Sequence, residues 1–344
     1  MVASEVPLPS RAAASPRAGV TILPSLCDKA LRISSSPRTF PIKMADPAPC
    51  DLSMPIPPVE RLSAYDRYGP EVPPSPVVIS VPHAGRAYPP ELLAQARVAP
   101  AALRRLEDRF ADLLLAGLAD AGCALFVARA PRAMIDLNRG EREIDPAMVR
   151  DMPHGQPLIA SAKLRGGLGL IPRRLAGVGD LWLQPLPWSA VTERIDTYHR
   201  PYHAALADMM ERVRTVHGHA ILLDIHSMPP LPPTAGRAAR IVLGDRFGAS
   251  ASSRLIAMAT ELCAGRGIAT AQNHPYPGSY LLERHGRPER GMHALQVEVD
   301  RSLYLDPALD RPGPGLPGIQ ALITDLVAML AQALPGATFA QAAE

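Results

Sequence analysis

Two histidines each follow a short apolar segment of the kind that forms a buried β-strand. His83 comes two residues after VVISV (77–81), and His226 directly follows AILLDI (220–225). A lone histidine at a strand end is more often only hydrogen-bonded, although neutral imidazole is the commonest metal ligand. Two such histidines on separate strands favour a divalent-metal centre, since a zinc site with an open position needs three protein ligands and a water.

The third ligand is expected among the acids that follow His83. Glu107 and Asp108 lie together in RRLEDRFADLL, in a predicted helix, and such a pair usually forms a solvated helix face. Here Leu106 and Phe110 mark the apolar side, so either acid could point from the first turns toward the strand ends. We favour Asp108 as the ligand and keep Glu107 as the alternative.

Two further polar residues could act on a bound carbonyl group. Glu298 stands between Val297 and Val299 in ALQVEVD, so alternation along a strand places its carboxylate on an enclosed face. Arg132 lies seven residues before Arg139 across another strand candidate, from where it could polarise a carbonyl. We predict catalytic roles for Glu298 and Arg132.

The sequence DLNR (136–139) offers a carboxylate-binding site. Asn138 supplies an amide and Arg139 a planar guanidinium fork that can hold a carboxylate with two hydrogen bonds. The alternative is an arginine paired with Glu141 or Glu143 in a surface loop, and spacing alone does not distinguish the two.

A second histidine pair is predicted to be structural. His199 and His203 have the four-residue spacing of a helical metal pair, but the glutamate of an HExxH motif is missing and Pro201 lies between them. No G-x-S-x-G turn occurs either, which argues against a serine hydrolase.

The elements that must position these residues alternate between short apolar runs and longer amphipathic stretches, which predicts an α/β fold with a mixed, mostly parallel sheet. Strands are predicted at 77–81, 124–128, 133–137, 220–225, 239–244 and 294–299. Helices are predicted at 100–121, 189–217, 248–265 and 316–334. Residues 140–187 are predicted to form a long irregular insertion.

The N-terminal region differs from the rest of the chain. Of the 39 prolines among the 344 residues, 18 lie in the first 90. Residues 1–43 carry six Lys/Arg and two acids, so the net charge of this region exceeds the net charge of +3 of the whole chain. This composition is typical of a transit peptide or of sequence upstream of a true start at Met44. We predict a disordered or extended lead over 1–70, one catalytic domain over 71–335 and a tail over 336–344.

Other classes of function are disfavoured by composition. The basic charge lies in the lead rather than in a patch, so no nucleic-acid partner is expected, and no apolar segment is suited to span a membrane. The four cysteines have no CxxC spacing, which indicates a reduced, cytoplasmic protein. The oligomeric state is not predicted.

Over roughly residues 75–310 the chain resembles the N-formylglutamate amidohydrolase family, which is related to aspartoacylases and zinc carboxypeptidases. The motifs that carry the resemblance are SVPHAG, IDLNRGEREIDP, GGLGLIPR, YHRPYHAAL, LLDIHSM, NHPYPGSYLLERHGRPERG and HALQVEVDRSLYLD. The resemblance implies a carboxypeptidase-like, three-layer α/β/α sandwich of the phosphorylase/hydrolase-like type. It also implies a metal-dependent hydrolase that releases formate and glutamate from N-formyl-L-glutamate.

The resemblance assigns roles to several residues. It implies that His83 and His226 bind a divalent metal, most simply Zn²⁺, that Glu298 is the general base, and that Asn138 and Arg139 bind the α-carboxylate of a small N-acyl amino acid. One motif departs from the family: Arg86 stands where the relatives have the glutamate of HxxE. The third ligand is therefore not given by the resemblance.

Three alternatives stay open at this point. The substrate could be another N-acyl amino acid or a peptide with a free carboxylate, as in the zinc carboxypeptidases. The protein could instead bind a carboxylate without catalysis. Last, the metal could be purely structural, although structural zinc prefers four ligands that usually include cysteine.

Overall fold

The structure is a computed structural model that describes residues 62–233 and 237–334. All of these residues belong to one compact unit, Val59–Glu344. The predicted lead falls mainly on residues outside the described part, as does the tail over 336–344. The domain limits stay predictions, although a strand at Tyr65–Tyr68 shows that the sheet includes residues before 71.

A seven-stranded sheet forms the centre of this unit. Its strands are β1 (Tyr65–Tyr68), β2 (Val77–Val81), β3 (Ala124–Ala128), β4 (Ala220–Met228), β5 (Ile241–Gly244), β6 (Thr270–Gln272) and β7 (Met292–Asp300). The strand order is β1-β3-β2-β4-β7-β5-β6. The four central strands β3, β2, β4 and β7 are parallel, whereas β1 is antiparallel to β3 and β5 to β7. The predicted mixed, mostly parallel sheet is confirmed.

Helices lie on both sides of the sheet. They are α1 (Pro90–Ala94), α2 (Pro100–Leu103), α3 (Ala162–Arg165), α4 (Trp188–Arg194), α5 (Arg200–His217), α6 (Ser253–Gly265), α7 (Tyr280–His285) and α8 (Leu316–Ala331). A π-helical turn, Ile195–His199, joins α4 to α5. Pro201 follows this turn and lacks an N–H, so the regular α-helical hydrogen-bond ladder cannot continue through it.

Two hydrophobic cores, one on each face of the sheet, make the fold three-layered. Alternate residues of the strands separate between them: Ile79 and Ile225 pack toward α6 and α8, while Val78 and Leu222 pack toward α4 and α5. The α/β/α sandwich expected from the resemblance is confirmed. None of the helices in the described part of the chain has the length and apolar character needed to cross a membrane.

The predicted strand at 133–137 is wrong. These residues form a turn in which Met134 N–H donates to Pro131 O and Asp136 N–H to Leu170 O. Ala133 and Ile135 are nevertheless fully buried. The apolar residues of 133–137 are buried under the segment around residue 170. A short buried turn and a short buried strand have the same apolar composition, so the sequence does not distinguish them.

The single helix predicted at 100–121 is also wrong. Only α2 is α-helical; the 3-10 turns Arg104–Leu106 and Ala111–Leu115 follow it. Between the two turns Phe110 adopts a left-handed conformation with φ of 56°, and Asp108 N–H donates to His83 O at 3.0 Å. Asp108 therefore lies in a helix interruption that is tied to the end of β2, not on a helix face.

The remaining predicted elements agree with the structure apart from their ends, but the short helices α1 and α7 and the two outermost strands were not predicted. The 140–187 segment is largely irregular, with only α3, a 3-10 turn (Pro146–Met148) and two-residue ladders. Sequence reasoning missed β1 and β6, which are the two outermost strands. Both are short and only partly buried, so neither has the apolar run by which the inner strands were recognised.

Candidate metal and catalytic site

The carboxyl ends of β2, β4 and β7 bring His83, His226 and Glu298 to one edge of the sheet. Glu298 and His226 are register partners on adjacent parallel strands, so their side chains emerge on the same face. His83 lies in the turn that follows β2. The backbone of this turn packs directly against the backbone of Ala130, because a Cβ on Gly85 would come within 2.1 Å of Ala130 O. In open α/β sheets this edge is where ligands bind.

The two predicted histidine ligands converge. The ring centroids of His83 and His226 are 4.7 Å apart. Both Nδ1 atoms face Asp108 Oδ2, at 3.4 Å from His83 and 2.9 Å from His226. All three residues are buried, and one ligand atom from each lies within 4.8 Å of the others. The structure therefore brings together the residues predicted as ligands.

Glu107, the alternative to Asp108, is used elsewhere. It accepts hydrogen bonds from Tyr88 Oη at 2.6 Å and from Arg109 at 2.8 Å. Glu107 and Asp108 point in different directions because the helix is interrupted between them and the 3-10 turn that precedes them. Asp108 faces the histidines and Glu107 faces away.

The opposite nitrogen of each histidine is held by a carboxylate. His83 Nε2 lies 2.7 Å from Asp136 Oδ1, and His226 Nε2 lies 2.8 Å from Asp224 Oδ2. A carboxylate partner keeps a proton on Nε2, so Nδ1 is the atom of each ring that would bind a metal ion. Both Nδ1 atoms face the Asp108 carboxylate.

These residues fit a divalent metal. The Nδ1 atom of His83 is fully buried yet has no hydrogen bond of normal geometry, although the carboxylate of Asp108 is nearby. Two imidazole nitrogens and one carboxylate oxygen are a donor set that zinc uses in catalytic sites. The buried His83–Asp108–His226 group could hold a metal, with carboxylates behind both histidines as metal sites usually have.

Asp108 is held in its anionic form. Burial alone would favour the neutral form, but the adjacent His226 and His83 rings hold the pKa of Asp108 well below its usual range. Its second oxygen, Oδ1, accepts from Arg301 at 3.2 Å. Arg301 also donates to the Ser227 hydroxyl at 3.0 Å, so it connects Asp108 to the end of β4.

Glu298 has the environment of a proton-transferring carboxylate. It is 8% exposed and accepts from Gln296 Nε2 at 3.0 Å. Burial raises the pKa of Glu298 to about 7; positive charge on His226 opposes this shift, and the negative charge of Asp108 adds to it. A carboxyl group with a pKa near neutrality can both accept and return a proton.

Arg132 and Arg139 share Asp136 with His83. Arg132 Nε donates to Asp136 Oδ2 at 2.9 Å, and Arg139 Nε lies 3.9 Å from the same oxygen. Burial disfavours the charge on Asp136, but Arg132 and His83 hold the pKa of Asp136 well below its ordinary value. The carboxylate behind His83 therefore stays ionised and orients Arg132 in the cavity wall.

The DLNR segment is buried beside the histidines. Arg139 is 3% exposed and donates to Leu168 O and Ser279 Oγ, so the surface-loop alternative is wrong. Glu141 instead pairs with Arg200, and Glu143 accepts from Gly140 N–H. Asn138 accepts from Leu281 N–H at 2.9 Å, and its amide nitrogen is 3.2 Å from His226 Nε2.

The second histidine pair supports this segment, as predicted. His199 Nε2 is 2.8 Å from Arg139 O, and His203 Nε2 is 2.9 Å from Leu137 O, so each ring donates to a carbonyl on either side of Asn138. His203 Nδ1 must then accept, and it lies 3.0 Å from Nε2 of His285. The rings belong to the π-turn, α5 and α7, and they fix the backbone of the predicted carboxylate-binding residues.

A cavity of about 380 Å³ opens above these groups. Its wall includes every predicted site residue and also the loop Pro275–Ser279. Five cationic side chains line it: Arg105, Arg132, Arg139, Lys163 and Arg301. Against these cations the wall has only two acidic residues, Asp108 and Glu298, so the cavity suits an anionic ligand.

Arg86, which replaces the expected glutamate, points elsewhere. Both of its terminal amino groups bind Asp112, each at 2.7 Å, and its guanidinium lies over the Phe110 ring. Arg86 therefore contributes nothing to the histidine pair, and the carboxylate that lies beside the two histidines is that of Asp108.

Sequence reasoning gave no role to Asp224, Arg301 or Lys163. Asp224 had a usable signal, because it precedes His226 by two residues and so shares its strand face. Arg301 follows β7 directly, and its contact with Asp108 depends on the helix interruption. Lys163 lies in the irregular insertion, but it is the only lysine beyond residue 43, which is a signal in the sequence itself.

Comparison with protein families gives one match that spans most of the described chain. The model of the family described as "N-formylglutamate amidohydrolase" matches residues 75–305. Two curated relatives are N-formylglutamate deformylases from Pseudomonas aeruginosa and Pseudomonas putida. Each is 28% identical over 243 residues, which cover 67% of this chain and 82% of the relative.

Solved structures agree with this match. A crystal structure of N-formylglutamate amidohydrolase from Ralstonia eutropha is 33% identical, with a TM-score of 0.72 over 78% of this chain and 96% of that one. The Agrobacterium tumefaciens gene product Atu2144 is 16% identical, with a TM-score of 0.53 over 78% of this chain and 94% of its own. The second likeness concerns the fold alone.

Proposed function

The chain belongs to the N-formylglutamate amidohydrolase family, and we propose from this that it hydrolyses N-formyl-L-glutamate to formate and L-glutamate. The observation that carries the proposal is the convergence of His83, Asp108 and His226 beside Glu298 at the strand ends. A family member lacking this group would have the fold without the means of activating water.

We propose that the His83–Asp108–His226 group holds Zn²⁺. When bound, such an ion supplies a Lewis acid and lowers the pKa of water. Two nitrogen ligands and one oxygen ligand support zinc over a cation such as Mg²⁺, which prefers oxygen ligands alone. The absence of a cysteine among the three residues supports a catalytic rather than a structural ion.

Glu298 is the proposed general base. Its carboxylate takes a proton from the water that attacks the formyl carbon and gives this proton to the amide nitrogen as the C–N bond breaks, so the amine leaves in its neutral form. The formic acid formed at the same time loses its own proton, which leaves formate and protonates the released amine. Gln296 orients the carboxylate by donating to Oε1. The buried position excludes bulk water, which would otherwise exchange protons with the group.

The arginines of the wall have separate proposed roles. Arg132, oriented by Asp136, stabilises the negative charge that develops on the formyl oxygen. Arg139 and Asn138 bind the α-carboxylate of the substrate, which lies next to the scissile amide. The firm attachment of this segment to His199 and His203 supports a positioning function.

Formate release from N-formyl-L-glutamate by the purified full chain tests the proposal. We expect turnover with zinc bound, loss of turnover after removal of metal by a chelator, and recovery on adding back Zn²⁺. N-acetyl and N-succinyl amino acids and short peptides are the competing substrates. Turnover of one of these without turnover of N-formyl-L-glutamate would replace the proposed substrate, and stoichiometric metal without any hydrolysis would contradict an enzymatic role.

A further inference from the structure

Lys163 is an unusual residue in this chain. Lysine occurs at only three positions, 29, 43 and 163, while arginine supplies the remaining 33 of the 36 basic residues. The one lysine of the described part lines the cavity above the candidate metal site. An ammonium group is compact and can approach a carboxylate end-on, where a guanidinium needs room for its planar fork.

The charge of Lys163 is not neutralised by the protein. Arg132 and Arg139 face Asp136, and Arg301 contacts Asp108. Among the described residues Lys163 forms no salt bridge; its recorded contact is the Tyr276 ring, 5.5 Å from Nζ. A cation that lines a cavity without an acidic partner is suited to bind an anion that enters the cavity.

The surroundings of Lys163 show that the cavity has an excess of positive charge. Burial, together with the positive charges of Arg139 and Arg132, lowers the pKa of Lys163, while the more weakly acting Glu298 and Asp136 oppose the shift. A negatively charged ligand group near Nζ would relieve this repulsion.

Lys163 is held at the wall by a short but anchored helix. Ser161 caps α3 by accepting from Leu164 N–H, and Leu164 is buried. Tyr276 belongs to the loop Pro275–Ser279, which also lines the cavity. Lys163 and Tyr276 thus come from two separate segments outside the strands that carry the reacting groups.

The proposed substrate has two carboxylates at different distances from the scissile bond. The α-carboxylate is adjacent to the amide nitrogen, and its proposed partner is Arg139. Arg139 contacts Asp136, the same residue that binds His83. The side-chain carboxylate lies two methylenes further out. Of the remaining cations in the wall, Arg301 is engaged by Asp108 and Arg105 donates to Ala176 O.

We propose that Lys163 binds the side-chain carboxylate of the substrate and makes the enzyme selective for N-formyl dicarboxylic amino acids. This inference rests on the proposed function and adds a specificity-determining residue to it. Tyr276 covers the ammonium with its ring and so limits competition from water for the carboxylate.

The test compares two substrates of nearly equal shape, N-formyl-L-glutamate and N-formyl-L-glutamine, in the wild type and in Lys163→Met. A charge-assisted hydrogen bond of this kind predicts a loss of about 10–100-fold in kcat/KM for the glutamate derivative. For the glutamine derivative we expect a change of less than about threefold, because no charge is lost there. Lys163→Arg should keep part of the preference.

The matched control is Arg165→Met. Arg165 lies on the same helix, and its side chain donates to Ala160 O on the protein surface. We expect wild-type values for both substrates. An equal loss for both substrates in Lys163→Met, or no loss for either, would overturn the role of Lys163. Absence of hydrolysis of either substrate by the wild type would instead overturn the proposed function.

Discussion

At the scale of single residues, the site depends on which atoms carry protons. Each of the two histidines proposed as ligands has a carboxylate at Nε2 and faces Asp108 with Nδ1, and the proposed base is a carboxyl group with a pKa of about 7. Removing the titratable group while keeping its shape is therefore the most direct perturbation.

Glu298→Gln should abolish most turnover without removing the metal. The amide has almost the same size and can still contact Gln296, but it cannot accept a proton from water. We expect kcat to fall by about 10²–10⁴-fold, as for loss of a general base, with metal content unchanged by elemental analysis. Near-normal turnover in this variant would show that another group is the base.

Asp224→Asn tests the support behind His226. The substitution removes the negative charge that holds the Nε2 proton, so the ring is less firmly fixed with Nδ1 toward the metal. We expect metal affinity to fall about 10–100-fold, measured by competition with a chromogenic chelator.

Asp112→Asn is the control for this loss of charge. Asp112 is a partly buried acid whose ion-pair partner is Arg86, and it has no described contact with the histidines. Metal affinity should stay within about twofold of wild type. If both variants lose metal equally, general destabilisation rather than the orientation of His226 is the cause.

At the scale of elements, α5 and α7 hold the DLNR turn in place through neutral histidines. Burial, with Arg284 and Arg287 nearby, lowers the pKa of His285 to about 3, and burial holds the pKa of His203 well below its usual value. In the unfolded chain these rings have a pKa of about 6.5. The unfolded state therefore takes up protons first on acidification, and stability is lost as the pH falls below about 6.5.

His285→Gln should make this loss smaller. Glutamine can still donate to His203 Nδ1 but does not titrate. Between pH 6.5 and 5 the wild type should lose about 2 kcal/mol more unfolding free energy than the variant, since each unit is worth about 1.4 kcal/mol per group. Urea unfolding of both metal-free proteins at several pH values measures the difference. Parallel pH profiles would mean that His285 is protonated in the folded protein.

The elements that the sequence predicted well are those with an unambiguous apolar pattern. The inner strands β2, β3, β4 and β7 and the long α5 belong to this class, and with them the positions of His83, His226 and Glu298. The turn at 133–137 was mistaken for a strand because burial gives both the same composition. The choice between Asp108 and Glu107 depends on the extended backbone of Glu107, which ends the turn Arg104–Leu106, and no periodicity reveals it.

At the scale of the whole molecule, only one of the two hydrophobic cores packs against the strand face that carries the site residues. The strand face that carries His226 and Glu298 also packs α4 and α5, while α6 and α8 cover the other face. The second core should therefore contribute stability without shaping the cavity.

Leu326→Ala examines that separation. Leu326 lies on α8 and is 1% exposed, so its truncation should cost about 2–5 kcal/mol of unfolding free energy. We expect kcat/KM at 25 °C to stay within about twofold of wild type, because α8 does not contribute to the wall of the cavity. A drop in kcat/KM much larger than this would show that the sheet transmits strain from one core to the other.

The in-register pairing of β4 with β7 has a consequence for how this enzyme can diverge. The spacing between His226 and Glu298 is set by backbone hydrogen bonds of adjacent strands, which no loop exchange alters. The groups proposed to select the ligand lie on α3, the 275–279 loop and the DLNR turn, all of which line the cavity. Loop replacement could therefore change which amides enter the cavity while the distance between Glu298 and His226 stays constant.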